Sequence, residues 1–321
     1  MAENNSCAFR TAIGGQALIE GILMRGVDRQ AIVVRNPEGQ LVPKTEELHL
    51  SKEKHPWAGW PFIRGVVNFI DSMAKGMKAL SYSATFLPEE EQEEPSKLDR
   101  WIEKKVGSEK AEKIIIGIAM VLGLALAVGL FIVLPTFLIG LIPGIRTGHD
   151  GLRTLLEGIL KIVILLVYMY GVSQMKDIKR LFSYHGAEHK SIFCYEHRLP
   201  LTVENVRKQS RFHPRCGTSF ILVVAIISIF VFILVNAFLH IDNVLLRMLL
   251  KLVLLPVVVA VTYELNRWLG RNDDKVFARI LSWPGKQLQH ITTREPDDSM
   301  IEVAVTALKL VIPEVEGADA I

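Results

Sequence analysis

"IIIGIAMVLGLALAVGLFIVLPTFLIGLIP", residues 114–143, is the stretch on which the fold turns. It carries no charged side chain and exceeds the ~20 residues a helix needs to cross a hydrocarbon core. Pro135 within it predicts a kink, or the point where the span meets the far interface. Three further blocks share its character. They are Leu152–Val172 with Glu157 and Lys161, Ser219–Leu239, and Val244–Tyr263 with Arg247, Lys251 and Pro256. Half of the 321 residues are hydrophobic and they come in blocks, as in a polytopic membrane protein. The fold class expected is an α-helical polytopic membrane protein, a four-span bundle with a small α+β cytosolic portion.

The placement of charge orients the spans. Residues 173–218 carry Lys176, Lys179, Arg180, Lys190, Arg198, Arg207, Lys208, Arg211 and Arg215. Basic residues also precede the first span (Lys104, Lys105, Lys110, Lys113) and follow the fourth (Arg267, Arg271, Lys275, Arg279). Positive-inside bias puts all three stretches and both termini in the cytosol of a cell inner (plasma) membrane. Inside the second span, Glu157 and Lys161 stand at i and i+4 and are expected to pair within a packed helix.

The remainder reads as cytosolic. Residues 1–56 contain two β-type runs around Asn36-Pro37-Glu38-Gly39, a hairpin-turn signal. Gly14, Gly15, Gly21 and Gly26 read as tight turns or close backbone approaches, since they match no phosphate loop or dinucleotide fingerprint. Residues 57–87 read as an amphipathic helix at the interface or against the bundle. Residues 88–113 begin with the acidic run "PEEEQEEPSK" and lead into residues 114–263, the four spans with the basic 173–218 loop. Residues 264–321 form the tail, in which Asp297-Asp298-Ser299 starts a helix running through Lys309. A net charge of +3 does not suggest sequence-specific nucleic-acid binding. Three cysteines (Cys7, Cys194, Cys216) suggest no disulfide framework, and the N-terminus reads as lacking a cleaved signal peptide.

Against this background, "YHGAEHKSIFCYE" at 184–196 stands out. If it is helical, His185 and His189 lie one turn apart on one face with Glu188 beside them. Two imidazoles so placed can take two positions on a zinc-type ion, and a neighbouring Glu can take a proton from bound water. The order H-x-x-E-H inverts the commoner H-E-x-x-H. "FHPRCGTSF" brings His213 and Cys216 to the start of the third span, and Glu264 sits where the fourth returns. The expected metal ligands are therefore His185 and His189 with His213, Cys216 or Glu264. Glu188 is the expected catalytic base and zinc the expected ion, because a thiolate is soft.

"GGQALIEGILMRG", "YHGAEHKSIFCYE", "HPRCGTSF" and "TTREPDDSMIEVAV" together resemble the YqhQ-like family of bacterial membrane proteins. Members are often described, on pattern alone, as predicted metal-dependent enzymes of unknown function. The resemblance implies that His185, Glu188, His189, His213 and Cys216 act as one site, and implies no substrate. Two functions stay open. One is a metal-dependent hydrolase of a membrane-associated substrate. The other is a non-catalytic scaffold or assembly factor, for example a partner of the protein-translocation or insertion machinery. Membrane lipids are expected partners of either, and a homo-oligomer is compatible with both.

Overall fold

The computed structural model describes residues 9–48, 55–88, 97–142, 150–239, 241, 243–272 and 274–321. Cys7, most of the acidic run and residues 143–149 of the first inter-span connection fall outside those ranges. The chain divides into two compact units. The first comprises Met1–Leu87, Tyr168–Val224 and Pro256–Ile321, and the second Pro88–Val167 and Ala225–Leu255.

The first unit is built on an antiparallel meander of β1 (Gly14–Leu18), β2 (Gly21–Arg25), β3 (Arg29–Arg35) and β4 (Leu41–Glu47). The β3–β4 hairpin turns where the sequence signalled it. Arg35 pairs with Leu41, and Gly39 takes a positive φ of 82° that its missing Cβ permits. The glycine-punctuated stretch before it is a second hairpin, β1–β2, in which Gly15 and Gly21 make the expected close backbone approaches, to the carbonyls of Leu23 and Val33 on neighbouring strands. Its strand character was hidden because β2 and β3 are covered on both faces. "ILM" and "AIVV" thus show no polar alternation. Leu18, Leu23, Ile32 and Val34 point to one face, against Ala79, Leu80 and Phe86 near the end of α1 (Ile63–Ala84). Ile22, Met24, Ala31 and Val33 point to the other. There they meet Tyr184 and Ala187 of α6 (Lys176–Glu196) and Ile301, Ala304 and Leu308 of α11 (Asp298–Lys309). The amphipathic 57–87 stretch is therefore a helix whose C-terminal half covers the sheet. Segments that the sequence separates, 1–56, 57–87, 173–218 and 264–321, belong to one unit.

Helix α11 starts as its sequence dictates. The Asp297 carboxylate accepts from the Met300 N–H at 3.0 Å, and the chain runs helical to Lys309. Before it, α10 spans Val276–Thr292, and a short α7 (Val203–Arg207) lies between α6 and Cys216.

Four helices are long and apolar enough to cross a membrane: 114–140, 151–172, 217–239 and 244–271. The first comprises most of α3 (Ser108–Val128), a π-turn at Gly129–Val133 and α4 (Leu134–Gly140), after the short α2 (Lys97–Val106). The π-turn stands just before Pro135, whose ring and missing N–H disturb the regular ladder. The others are α5 (Asp150–Val172), α8 (Gly217–Leu239) and α9 (Val244–Arg271). Within the second unit, Lys161 does not pair with Glu157 as expected. Its ammonium donates to the Ser228 hydroxyl on α8, while Glu157 is held by Arg153, Arg247 and Lys251. Arg247 and Lys251 of α9 reach the Glu157 carboxylate, and Lys161 takes the Ser228 hydroxyl instead.

Two substitutions in α11 separate core packing from capping. Ile301→Ala empties a fully buried site and is expected to cost about 2–5 kcal/mol, whereas Asp297→Ala should cost about 1 kcal/mol. Thermal unfolding in detergent checks the order; equal losses would contradict this account of the core.

Candidate metal centre

Helix α6 begins four residues after α5 ends, and its second half carries the histidine motif into the core of the first unit. Burial forces each polar atom there to find a partner. His185 Nδ1 lies 2.8 Å from the Thr292 carbonyl oxygen, and His189 Nδ1 lies 2.6 Å from that of Arg211. A carbonyl only accepts, so both rings carry their proton on Nδ1 and donate it outward. Each Nε2 is left facing inward. His185 Nε2 stands 3.2 Å from Cys216 Sγ, and the two rings are 4.3 Å apart between centroids.

One donor atom from each of His185, His189 and Cys216 lies within 4.8 Å of the other two. Bound to one tetrahedral zinc, such N and S atoms would stand roughly 3.3–3.6 Å apart, so only small shifts are needed. The outward Nδ1–carbonyl bonds are the support that metal-ligating histidines ordinarily have. Glu188 points to the same group without joining it, its Oε1 accepting from the Gly15 N–H at 3.1 Å. All four side chains are deeply buried, their residues 1–8% exposed.

Electrostatics couples these groups. Burial alone would raise the Cys216 thiol, yet His189 and His185 hold it well below its usual range. Burial would lower His185, but the adjacent Cys216 sulfur and Glu188 raise it to about 9. The pair therefore favours thiolate beside imidazolium. Burial pushes the Glu188 carboxyl up, against the opposing pull of the two histidines.

Two other expected ligands stand elsewhere. Glu264 is forked onto Arg64, with Nε donating at 2.7 Å, and also accepts from the Phe62 N–H. The expectation placed it at the mouth of the fourth span, but α9 runs on to Arg271, and Arg64 at the start of α1 claims the carboxylate. His213 lies beside His189, with ring centroids 5.5 Å apart. Its Nε2, however, faces Glu196 at 3.6 Å and Arg215 at 3.4 Å rather than the sulfur. Burial, with Arg215 and His189 nearby, lowers His213 to about 4 even though Glu196 opposes.

Sequence reasoning missed the residues that hold these side chains in place. Gln289, fully buried on α10, accepts from the His213 N–H at 2.8 Å and donates to its carbonyl at 2.7 Å and to Ser219 at 2.9 Å. It clamps the loop that delivers Cys216. Glu196 ends α6 by binding Arg215 and the Thr11 N–H. Two glycines allow the close approaches. A Cβ on Gly186 would sit 2.0 Å from the Arg294 carbonyl oxygen, and one on Gly15 would press on Leu23 and Glu188. The signal was partial, because Gly15, Gly186 and Thr292 flank or fall within the quoted motifs while Gln289 does not.

Residues 60–314 match the family described as "Protein of unknown function (DUF1385)". The chain belongs to that family. It is 35% identical over 300 residues to a Bacillus subtilis (strain 168) protein described as "Uncharacterized protein YqhQ", covering 92% of this chain and 90% of that protein. No solved structure matches. The near end-to-end match bears out the resemblance drawn from the four motifs.

Gly186→Ala should prevent α6 from seating against the extended segment 293–297 at Arg294, costing about 2 kcal/mol or more as overpacking, with loss of folded protein on size exclusion. A pH titration tests His213. Its folded pKa lies below the unfolded 6.5, so the unfolded chain binds the extra proton and stability is lost as pH falls from about 6.5 toward 4. In His213→Gln that acid limb should be shallower by about 1 kcal/mol per pH unit; an unchanged slope would remove the buried neutral imidazole from the account.

Proposed function

We propose that this protein is a multi-pass membrane hydrolase holding a zinc-type ion on His185, His189 and Cys216, with Glu188 as general base. The observation that carries it is the pair of outward Nδ1–carbonyl bonds, which turn both Nε2 atoms toward a thiolate-prone sulfur, where an ion would displace any proton between them. Three protein ligands with a carboxylate alongside is the pattern of catalytic rather than structural zinc. Such an ion, when bound, lowers the pKa of its water to roughly 7 and polarises a substrate carbonyl or phosphoryl oxygen. Glu188, with a carboxyl raised by burial, takes the proton from the attacking water and passes it to the leaving group. The Gly15 N–H holds its other lone pair and so fixes its aim. Glu196, Arg215 and Gln289 keep Cys216 in position and touch no reacting atom.

Membrane insertion is part of the proposal. The four apolar helices leave large side chains uncovered, among them Val121, Leu122, Phe230, Phe238 and Val253, a surface that lipid would satisfy. Positive-inside bias places the histidine motif and both termini in the cytosol. A cleft of about 530 Å3 lined by Arg64, Asn68, Arg215, Tyr263, Arg267 and Arg271 lies in the same unit as the motif. Arg215 is the neighbour of Cys216; Arg64 and Arg215 are held by Glu264 and Glu196, so Arg267 and Arg271 are the guanidinium groups that favour an anionic, lipid-linked substrate.

One observation favours the alternative, a non-catalytic scaffold: the depth of burial at His189 and Cys216 suits a structural tie as well as it suits an enzyme. Metal analysis of purified protein should give about one zinc per chain, and His189→Ala should lose it. Glu188→Gln should keep the ion and fail to complement a deletion strain. Wild-type protein without stoichiometric metal ends the proposal, whereas full complementation by Glu188→Gln, with a stable partner on purification, supports the scaffold.

A further inference from the structure

Helix α10 presents an uncovered apolar face. Over its first two turns Val276, Phe277, Ile280 and Trp283 are each 60–71% exposed. The opposite face is the buried one, with Ala278, Gly285, Leu288, Gln289 and Thr292 turned inward. At 3.6 residues per turn, Lys275 at the N-cap, Arg279 and Lys286 fall together on one flank between the two faces. No acidic side chain interrupts the helix.

What covers that face follows from where the helix lies. Near its start, the Phe277 ring stands 6.3 Å from Trp268 in the last turn of α9. Further on, a Cβ on Gly285 would sit 2.7 Å from the Ser219 side chain, and Gln289 donates to the Ser219 hydroxyl at 2.9 Å. Thr292 Oγ1 lies 3.3 Å from that of Thr218. Thus α10 runs from the last turn of α9 to the first turn of α8. Those two ends stand side by side, since Gly270 packs against the Arg215 side chain just ahead of α8. A helix that joins two span ends on one side of a membrane lies along its surface. Exposed aromatic and aliphatic rows with a basic flank are the composition of such a helix. Trp seats at headgroup level, and Lys and Arg lay their stems on apolar surface while their charges reach the phosphates.

We propose, resting on the reading of the four apolar helices as spans, that α10 is an in-plane helix of the cytosolic leaflet. Its apolar row sits at the boundary of acyl chains and headgroups, and Lys275, Arg279 and Lys286 meet the phosphates of anionic phospholipids. The consequence reaches the histidine cluster. Thr292, whose carbonyl accepts from His185, and Gln289, which clamps the His213 backbone, lie on the inner face of the same helix. Lipid on the outer face holds both in place, so an anionic leaflet orders the cluster.

The test uses the full-length protein in nanodiscs whose lipids carry a nitroxide quencher at a shallow or a deep acyl carbon. A genetically encoded fluorescent amino acid replaces Ile280, Phe230 in the middle of α8, or the exposed Glu38 of the β3–β4 turn. At position 280 the shallow quencher should act about twofold more strongly than the deep one. At 230 the order should reverse, and 38 should respond to neither. Quenching at 230 with none at 280 overturns the role of α10 and leaves the spans standing, whereas no quenching at 230 removes the spans and this helix's role with them. Energy transfer between copies labelled at 280, in place of lipid quenching, gives the face to a second copy and overturns the lipid assignment. Shallow quenching at 280 should rise when phosphatidylglycerol is added to phosphatidylcholine. Lys275→Gln, Arg279→Gln and Lys286→Gln together should erase that rise, and a rise that survives them overturns the anionic preference. Ile280→Asp should speed amide exchange at His213 and Thr293, both bonded to Gln289, about tenfold in discs containing phosphatidylglycerol. An unchanged rate overturns the link to the histidine cluster.

Discussion

The first unit depends on one constraint: a buried imidazole must place both of its nitrogens. At His185 and His189 the backbone meets half of that demand, with carbonyls of Thr292 and Arg211 taking the Nδ1 protons. Everything else about the site follows. The rings cannot rotate, the Nε2 atoms converge, and Cys216 lies where they meet. The two carbonyls come from segments about 80 residues apart in sequence, so the site exists only when α10 and the loop before α8 are both seated. Gln289 couples those two segments through the backbone of His213.

The two units hold their charged groups in different arrangements. In the first unit charged groups stand in separate pairs: Arg215 with Glu196, Arg64 with Glu264, and His185 with the Cys216 sulfur. In the second unit positive charge accumulates around one carboxylate.

The sequence made the apolar helices legible because length and absence of charge suffice to define them. It made α11 legible because Asp297 caps locally, and the β3–β4 hairpin because Asn36–Gly39 is a local turn signal. The β1–β2 hairpin was harder to see, since strands buried on both faces lose the alternation by which strands are recognised. Pairing of Lys161 with Glu157 failed as an expectation for a different reason. Helical spacing makes such a pair feasible, but competition from α9 decides which cation the carboxylate takes.

At the candidate centre, the residue types and the one-turn spacing of His185 and His189 were set by the sequence alone, because an α-helix fixes which side chains share a face. Adjacency of Glu188 came with them. Selection among the remaining donors was a matter of tertiary structure. Cys216 joined the group while His213 turned to Glu196 and Glu264 to Arg64, since a ligand's place depends on which partner reaches each buried polar atom first in space. Chain order carries no information about that competition; only the packed arrangement of α1, α6, α9 and α10 resolves it.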